Sequence, residues 1–278
     1  MQSKHFSVGS VVTWAEPGVG AVATQSFAEP AYGPRGLNLM RQGRSAADAL
    51  AELVAEDELR DRRQVGMIDA SGRAATHTGA RCIVAAGHHV GEGHACQANL
   101  MLNDTVWGAM SLAYESANGD LPDRLLAALE AAEAEGGDLR GRQSAAMLVV
   151  GGDASLPAWQ RELELRVEDH ADPLGEMRRL LWLRRALTRV DEVEDALLKG
   201  GDPAAALSEL EGFADLADAN IDFTRAIALA RAGHAEEARA LVTALTLADP
   251  GWRLAARRYA DAGVLPDDPA LIAALTPD

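Results

Sequence analysis

The sequence predicts an α+β chain in two parts: a layered domain of antiparallel sheets and helices over residues 1–172, then an all-α helical-repeat domain over 173–278. Three observations carry this. Up to residue 172, segments with the two-residue period of strands alternate with segments of helical period. RQVGMIDASGRAATHTG, residues 63–79, reads as strand, Ala-Ser-Gly turn and strand, a hairpin and therefore an antiparallel pair. After Asp172-Pro173 the strand signal stops, and the chain is helical and amphipathic.

Taken in order, SVVTW (10–14) and GVGAVATQS (18–26) are short strands rich in β-branched residues and glycine. PRGLNLMRQG (34–43) and SAADALAELVAEDEL (45–59) are helices, the second with Ser45 as N-cap and Asp48 in its first turn. The hairpin of 63–79 follows, then HACQANLML (94–102) as a strand. NDTVWGAMSLAYESAN (103–118) and DRLLAALEAAEAEG (123–136) are helices, the latter stopped by Gly136 and Gly137. QSAAMLVV (143–150) and LELRVED (163–169) complete the first part as apolar strands. In the second part LLKGGDPAAA (197–206) recurs as LARAGHAEEA (229–238), pairing Leu197 with Leu229, Gly201 with Gly233 and Ala206 with Ala238. That period and layout resemble the tetratricopeptide repeat over about residues 175–265, either as a helical cap on the first domain or as a peptide-binding groove.

Composition narrows the partners. Apolar residues make up 48% of the 278, enough for a core, and the formal charge of -16 opposes phosphate backbones and anionic lipid. Nucleic acid and membranes are therefore not expected as partners. No apolar run approaches the ~20 residues of a membrane span, MQSKHFSVGS lacks a signal-peptide core, and two cysteines make no disulfide framework. A cytoplasmic protein is expected. No dinucleotide or P-loop glycine pattern occurs.

Several phrases are more specific than their periodicity: VGAVATQS, YGPRGLNLM, RQVGMIDASGRAATHTGARC, AGHHVGEGHACQANLML, GGDLRGRQSAAMLVV and LRVEDHADP. In this order, over about residues 1–180, they resemble a bacterial and archaeal family catalogued as domain of unknown function 1028. The resemblance implies an N-terminal-nucleophile (Ntn) hydrolase-like fold, a four-layer αββα sandwich of two antiparallel sheets between helices. It also implies hydrolysis of an amide or related carbon–nitrogen bond of a small metabolite, without a metal or other cofactor. In such chemistry a terminal Thr, Ser or Cys attacks a carbonyl and its own α-amine, of pKa about 7.7 to 8.0, takes the proton. Members of the family usually open with one more strand bearing that nucleophile. MQSKHFSVG corresponds to their second strand, so the expectation is a start codon placed too far downstream, the alternative a chain that has lost catalysis.

The resemblance and the strand pattern select the candidate residues. Gln97 and Asn99, two apart on a strand, share a face opposite His94 and Cys96. Asn99 is a candidate oxyanion donor and Gln97 a substrate ligand, against satisfaction of buried backbone groups. Ser26 is the second catalytic candidate, through its backbone amide. Arg140, Gln143 and Ser144 in GGDLRGRQS are candidate substrate ligands, Arg140 for a carboxylate, unless Asp138 and Arg140 only lock the loop. Ser3 and Lys4 join them on the first strand. The nucleophile is not assigned to any residue at this N-terminus. Glu168, Asp169 and His170 read as a turn.

The leading expectation is an Ntn-type amidohydrolase taking a small-molecule substrate, as a homo-oligomer. The alternatives are a non-catalytic scaffold whose tail recognises a peptide or protein, and a metal-dependent hydrolase built on His88, His89, His94 and Cys96 of HHVGEGHACQAN. In that stretch the two adjacent histidines point apart on a strand, so a metal site is not expected.

Overall fold

The computed structural model describes residues 1–264 together with 269 and 272. It is a mixed α+β structure in which every strand pair is antiparallel, and it divides into two compact units, Met1–Leu181 and Trp182–Asp278. The first unit holds β1 (Gln2–Ser3), β2 (Thr13–Glu16), β3 (Gly20–Ser26), α1 (Tyr32–Arg41), α2 (Ala46–Glu56), β4 (Arg63–Asp69) and β5 (Ala74–Thr78). It continues with β6 (Gly87–Gly91), β7 (His94–Ala98), α3 (Val106–Ser116), α4 (Leu121–Ala134), β8 (Ser144–Val149) and β9 (Leu163–Val167). The sheet orders are β2-β3-β4-β5, β1-β8-β9 and the two-stranded β6-β7.

The β2-β3-β4-β5 sheet has two unlike faces because side chains alternate along a strand. Val22, Val65 and Met67 point one way and build a core with Leu37 and Met40 of α1 and Leu50 and Leu53 of α2. Gly33 lets α1 lie flat on this face, since a Cβ there would sit 2.2 Å from the Trp14 ring. The other face carries Gln25, Gln64 and Thr78 in one cross-strand row and Ala23, Gly66 and Thr76 in the next. The hairpin β6-β7 packs against β4 and β5 on its inner side and against α3 on its outer side. β8 packs against β2, and Met147, Val149, Leu163 and Val167 share a core with Leu126, Leu174, Met177 and Leu181.

Two expected strands are shorter than their apolar runs. In SVVTW the strand begins only at Thr13, because Val8 and Val12, four apart, bury together against Ala146 from a helical turn at Val8–Ser10. In HACQANLML the strand stops at Ala98, and Leu100 takes φ 61°, outside the extended region. The α2 start agrees with its sequence signal: Ser45 Oγ accepts from the Asp48 amide at 3.1 Å.

The second unit is helical. α5 (Pro173–Leu198) runs across the division between units, followed by α6 (Pro203–Glu211), α7 (Ala219–Arg231), α8 (Ala235–Ala248) and α9 (Gly251–Asp261). Neighbours in sequence pack on one another from α6 to α9 around Leu197, Leu210, Ile221, Ile227 and Val242. The recurring turns differ by one residue. Gly200 (φ 84°) is the left-handed counterpart of Gly233 (φ 85°), each two residues past a helix end, so Gly201 is the extra residue of the first turn. Ala206 and Ala238 are both buried, as small residues at a helix crossing must be. Among the described residues no helix is long and apolar enough to cross a membrane. The expected tail boundary at 278 includes residues outside those described.

Asp69 ties the central hairpin to α2. Its carboxylate accepts from the amides of Ala46 (3.1 Å), Ser71 (2.9 Å) and Arg73 (3.2 Å) and from the Arg73 guanidinium (2.9 Å). Burial pushes this carboxyl up, but those donors outweigh it and hold it below the usual 3.8. A depressed carboxyl favours the folded state above its unfolded value, and that contribution is lost as pH falls through the lower folded value. Asp69→Asn is therefore expected to destabilise the chain by about 2 kcal/mol at neutral pH. Chemical denaturation should show the gap narrowing as pH falls below about 4; a gap independent of pH would contradict it.

Candidate functional site

A carboxamide cluster lies between the inner face of the β2-β3-β4-β5 sheet and β7. Its centre is Gln64, fully buried on β4. Gln64 Oε1 accepts from Gln25 Nε2 at 2.7 Å and from Asn99 Nδ2 at 3.0 Å. Its Nε2 faces three acceptors, Thr78 Oγ1 (2.9 Å), Gly87 O (3.0 Å) and Ala98 O (2.9 Å). Gln97 Nε2 donates to Ala23 O at 3.0 Å and to Gln25 Oε1 at 3.2 Å. Thr78 Oγ1 in turn lies 2.8 Å from His88 Nδ1. Burial, then the neighbouring His77 and His89, lower the His88 pKa from 6.5, so the imidazole facing Thr78 is neutral at pH 7.

The alternation of strands explains the convergence. Gln25 and Gln64 are cross-strand partners on β3 and β4, and Thr78 opposes Gln64 on β5. Gln97 and His88 are partners on β7 and β6. Gly66 makes room for Gln97, because a Cβ there would lie 2.9 Å from Gln97 Oε1. Two backbone strains flank the cluster. Ser26, directly after Gln25, has φ 69°, and Leu100, directly after Asn99, has φ 61°. A left-handed non-glycine residue costs about 1–3 kcal/mol and is concentrated at functional sites. The hydrogen bonding is also incomplete: Gln97 Oε1, Thr76 Oγ1 and Ser26 Oγ are buried without a partner among the described residues. Such atoms are exceptions in folded proteins.

The remaining sequence candidates gather at a second place, around the end of β1 and the loop into β8. Arg140 holds Asp138 through two guanidinium bonds, Nε to Oδ1 at 3.0 Å and the NH2 nitrogen to Oδ2 at 2.7 Å, plus its own amide at 2.9 Å. Burial pushes Asp138 up, and the Arg140 and Lys4 donors bring it below its ordinary range. The Lys4 amide donates to Asp138 Oδ2 at 3.3 Å, and Lys4 Nζ to Arg142 O at 3.3 Å. Ser144 is fully buried, accepting from the Val8 amide at 3.1 Å and donating to His5 O at 2.5 Å. Ser3 O accepts from the Gln143 amide, and Gln143 Nε2 donates to Asp169 at 3.1 Å. Here Arg140 is already engaged in locking the loop. Main-chain bonds join the two places: Leu139 N donates to Leu100 O at 3.1 Å, and Met101 bridges to Asp138.

Around that junction, Leu100 N donates to Ile83 O and Leu102 N to Gly137 O. The segments so joined carry the exposed apolar side chains of Ile83, Val84, Leu102 and Leu139. Sequence reasoning reached Gln97 and Asn99 and weighed His88 only as a metal ligand, but missed Gln25, Gln64 and Thr78. One signal was available in RQVGMI: Gln64 is an uncharged polar residue next to the apolar run of the strand, where a buried amide must have a built partner.

The histidine-rich stretch divides between environments. His88 faces Thr78, whereas His94 is buried against α3, its Nε2 2.8 Å from Ser111 Oγ and its ring 4.7 Å from Tyr114. Burial and then Glu115 push the Cys96 thiol up to about 11, which makes it a poor thiolate ligand. Among the described residues no three His, Cys, Asp or Glu side chains converge as a metal-ligand set.

The strain at Ser26 yields a direct test. Ser26→Gly removes both a left-handed side chain and a buried, unpartnered hydroxyl. It is expected to raise stability by about 1 kcal/mol, read as a higher denaturation midpoint; a loss of stability would mean that the serine side chain is held by partners absent from this geometry.

Comparison with known proteins agrees in scope. The crystal structure of protein SPO2555 from Silicibacter pomeroyi, itself described by the family model DUF1028, matches with a TM-score of 0.58 and 28% identity. The match covers 65% of this chain and 79% of that one. Comparison with curated proteins gives no match. The model of the family of unknown function DUF1028 matches residues 1–177, well over half of the chain, and the chain belongs to that family.

Proposed function

We propose that the first unit is an Ntn-type amidohydrolase domain that cleaves an amide or related carbon–nitrogen bond of a small metabolite, with the carboxamide cluster as its substrate site. The observation that carries this is the meeting of Gln25, Gln64, Gln97 and Asn99 beside two strained residues, with buried hydrogen-bonding atoms left open. The layering is consistent with a four-layer αββα arrangement. α1 and α2 cover one face of the β2-β3-β4-β5 sheet, β7 and β8 pack near its other face, and α3 and α4 lie beyond them. β1 has β8 as its one strand partner among the described residues, and β7 has β6. A strand carrying the nucleophile would pair with the open edge of β1.

In this mechanism a terminal Thr, Ser or Cys attacks the substrate carbonyl while its α-amine takes the proton. Asn99 retains one amide hydrogen beyond its bond to Gln64, and the Ser26 backbone amide is the second candidate donor for the oxyanion. The nucleophile is not among the residues placed at the cluster. The test is to express the chain with the in-frame codons upstream of Met1 and determine its mature N-terminus by mass spectrometry. A terminal Thr, Ser or Cys is expected, whose change to Ala lowers kcat on an amide panel by at least about a thousandfold. A blocked Met on that extended protein would overturn the mechanism.

The repeated turns at Gly200 and Gly233, with buried Ala206 and Ala238, favour a second role for the tail. There a tetratricopeptide-like stack would bind a peptide or protein partner.

A further inference from the structure

The carboxamide cluster is uncharged in every hydrogen bond that it makes. Its members are Gln25, Gln64, Gln97, Asn99, Thr78 and main-chain carbonyls, ending at His88. Counting hydrogens and lone pairs shows what is left over. Gln97 uses both amide hydrogens and leaves Oε1 without a donor. Half-buried Asn99 spends one amide hydrogen on Gln64 and keeps the other, together with Oδ1, free of protein partners among the described residues. Gln25 keeps one amide hydrogen. Gln97 Oε1 is closed off against Gly66, so the reachable pair is the donor and the acceptor of the one half-buried carboxamide, Asn99.

A carboxylate could use the donors, but its lone pairs would face Asn99 Oδ1. An ammonium could use the acceptors, but would press hydrogens against the Asn99 and Gln25 N–H groups. Each ion would also lose its water without gaining a countercharge from the cluster. A neutral carboxamide or ureide carries a C=O for the donors and an N–H for the acceptors, at no cost in charge desolvation. On the segments bonded through the main chain to the residues after Asn99, the exposed side chains of Ile83, Val84, Leu102 and Leu139 are available for the apolar rest of such a molecule.

We propose that this site selects a neutral ligand with an N–H and a C=O on one edge, a carboxamide or ureide, bearing an aliphatic substituent. The proposal rests on the amidohydrolase reading for its location, and it names the substrate class of that site. It replaces Arg140 as the determinant of ligand charge, since that guanidinium is bound to Asp138.

The test is a ligand-detected NMR titration of the full chain with three near-isosteric probes: hexanamide, hexanoate and hexylamine. Hexanamide is expected to bind at least tenfold more tightly than either ion, a gap of about 1.4 kcal/mol. Acetamide should bind more weakly than hexanamide. Asn99→Asp, checked by thermal melting to be folded, should lower hexanamide affinity at least tenfold. The wild-type probe series stands by itself if that variant fails to fold. Equal or tighter binding of hexanoate or hexylamine overturns the proposal, as does hexanamide binding indifferent to a folded Asn99→Asp or the absence of binding by all three. Amide binding together with a blocked Met on the upstream-extended protein would instead sink the hydrolase mechanism and leave the ligand class intact.

Discussion

Gln64 places a carboxamide where the β2-β3-β4-β5 sheet, the β6-β7 hairpin and the Asn99 loop meet, and no solvent reaches it. Burying an amide without partners costs several kcal/mol, so its environment must be built around it. Both ends are met by side chains and carbonyls from four strands and the residues that follow them. This makes one residue the reference point for the geometry of its neighbours. Gln25 and Asn99 are aimed by the same oxygen, and Gln97 is aimed by Gln25. An apolar side chain at position 64 would fill the volume but would leave each of these amides without its anchor.

The same constraint explains why strain is tolerated at Ser26 and Leu100. Each follows a cluster amide directly, and each turns the chain away from its strand with a positive φ. Gln25 and Asn99 can meet over Gln64 only if β3 and β7 stop there, since a continued ladder would carry the next side chains into the same space. The strain is thus a consequence of ending two strands at one point. Elsewhere in the first unit, buried carboxylates hold turns and join them to other segments: Asp69 caps its own hairpin and takes the Ala46 amide of α2, and Asp138 closes its own loop and takes the Lys4 amide.

Much of this was legible in the sequence where a local signal had one meaning. The 63–79 hairpin was set by its turn and α2 by Ser45, and Gln97 and Asn99 both reach the cluster, although β7 ends at Ala98 before Asn99. Signals that depend on distant partners were not legible. The Gln25–Gln64 pair requires knowing that β3 lies beside β4 in a register set by seven paired residues. The apolar run SVVTW looked like a strand because Val11 and Val12 are β-branched, yet Ala146, far away in sequence, collects Val12 with Val8 at helical spacing. Arg140 had the right chemistry for a carboxylate, but only the fold shows that Asp138 is the carboxylate it holds. In the tail the repeat was visible, while its left-handed glycine is Gly200 and not the aligned Gly201.

The claim that most else depends on is that the Gln64 carboxamide is fully bonded in the folded chain. Hydrogen exchange of its side-chain NH2 group, followed by 15N NMR on selectively labelled protein, tests it directly. With Nε2 held among Thr78, Gly87 and Ala98, both protons are expected to exchange at least about a hundredfold more slowly than those of an exposed glutamine. Exchange at the rate of an exposed side chain would show that the cluster is open to water and would contradict the account.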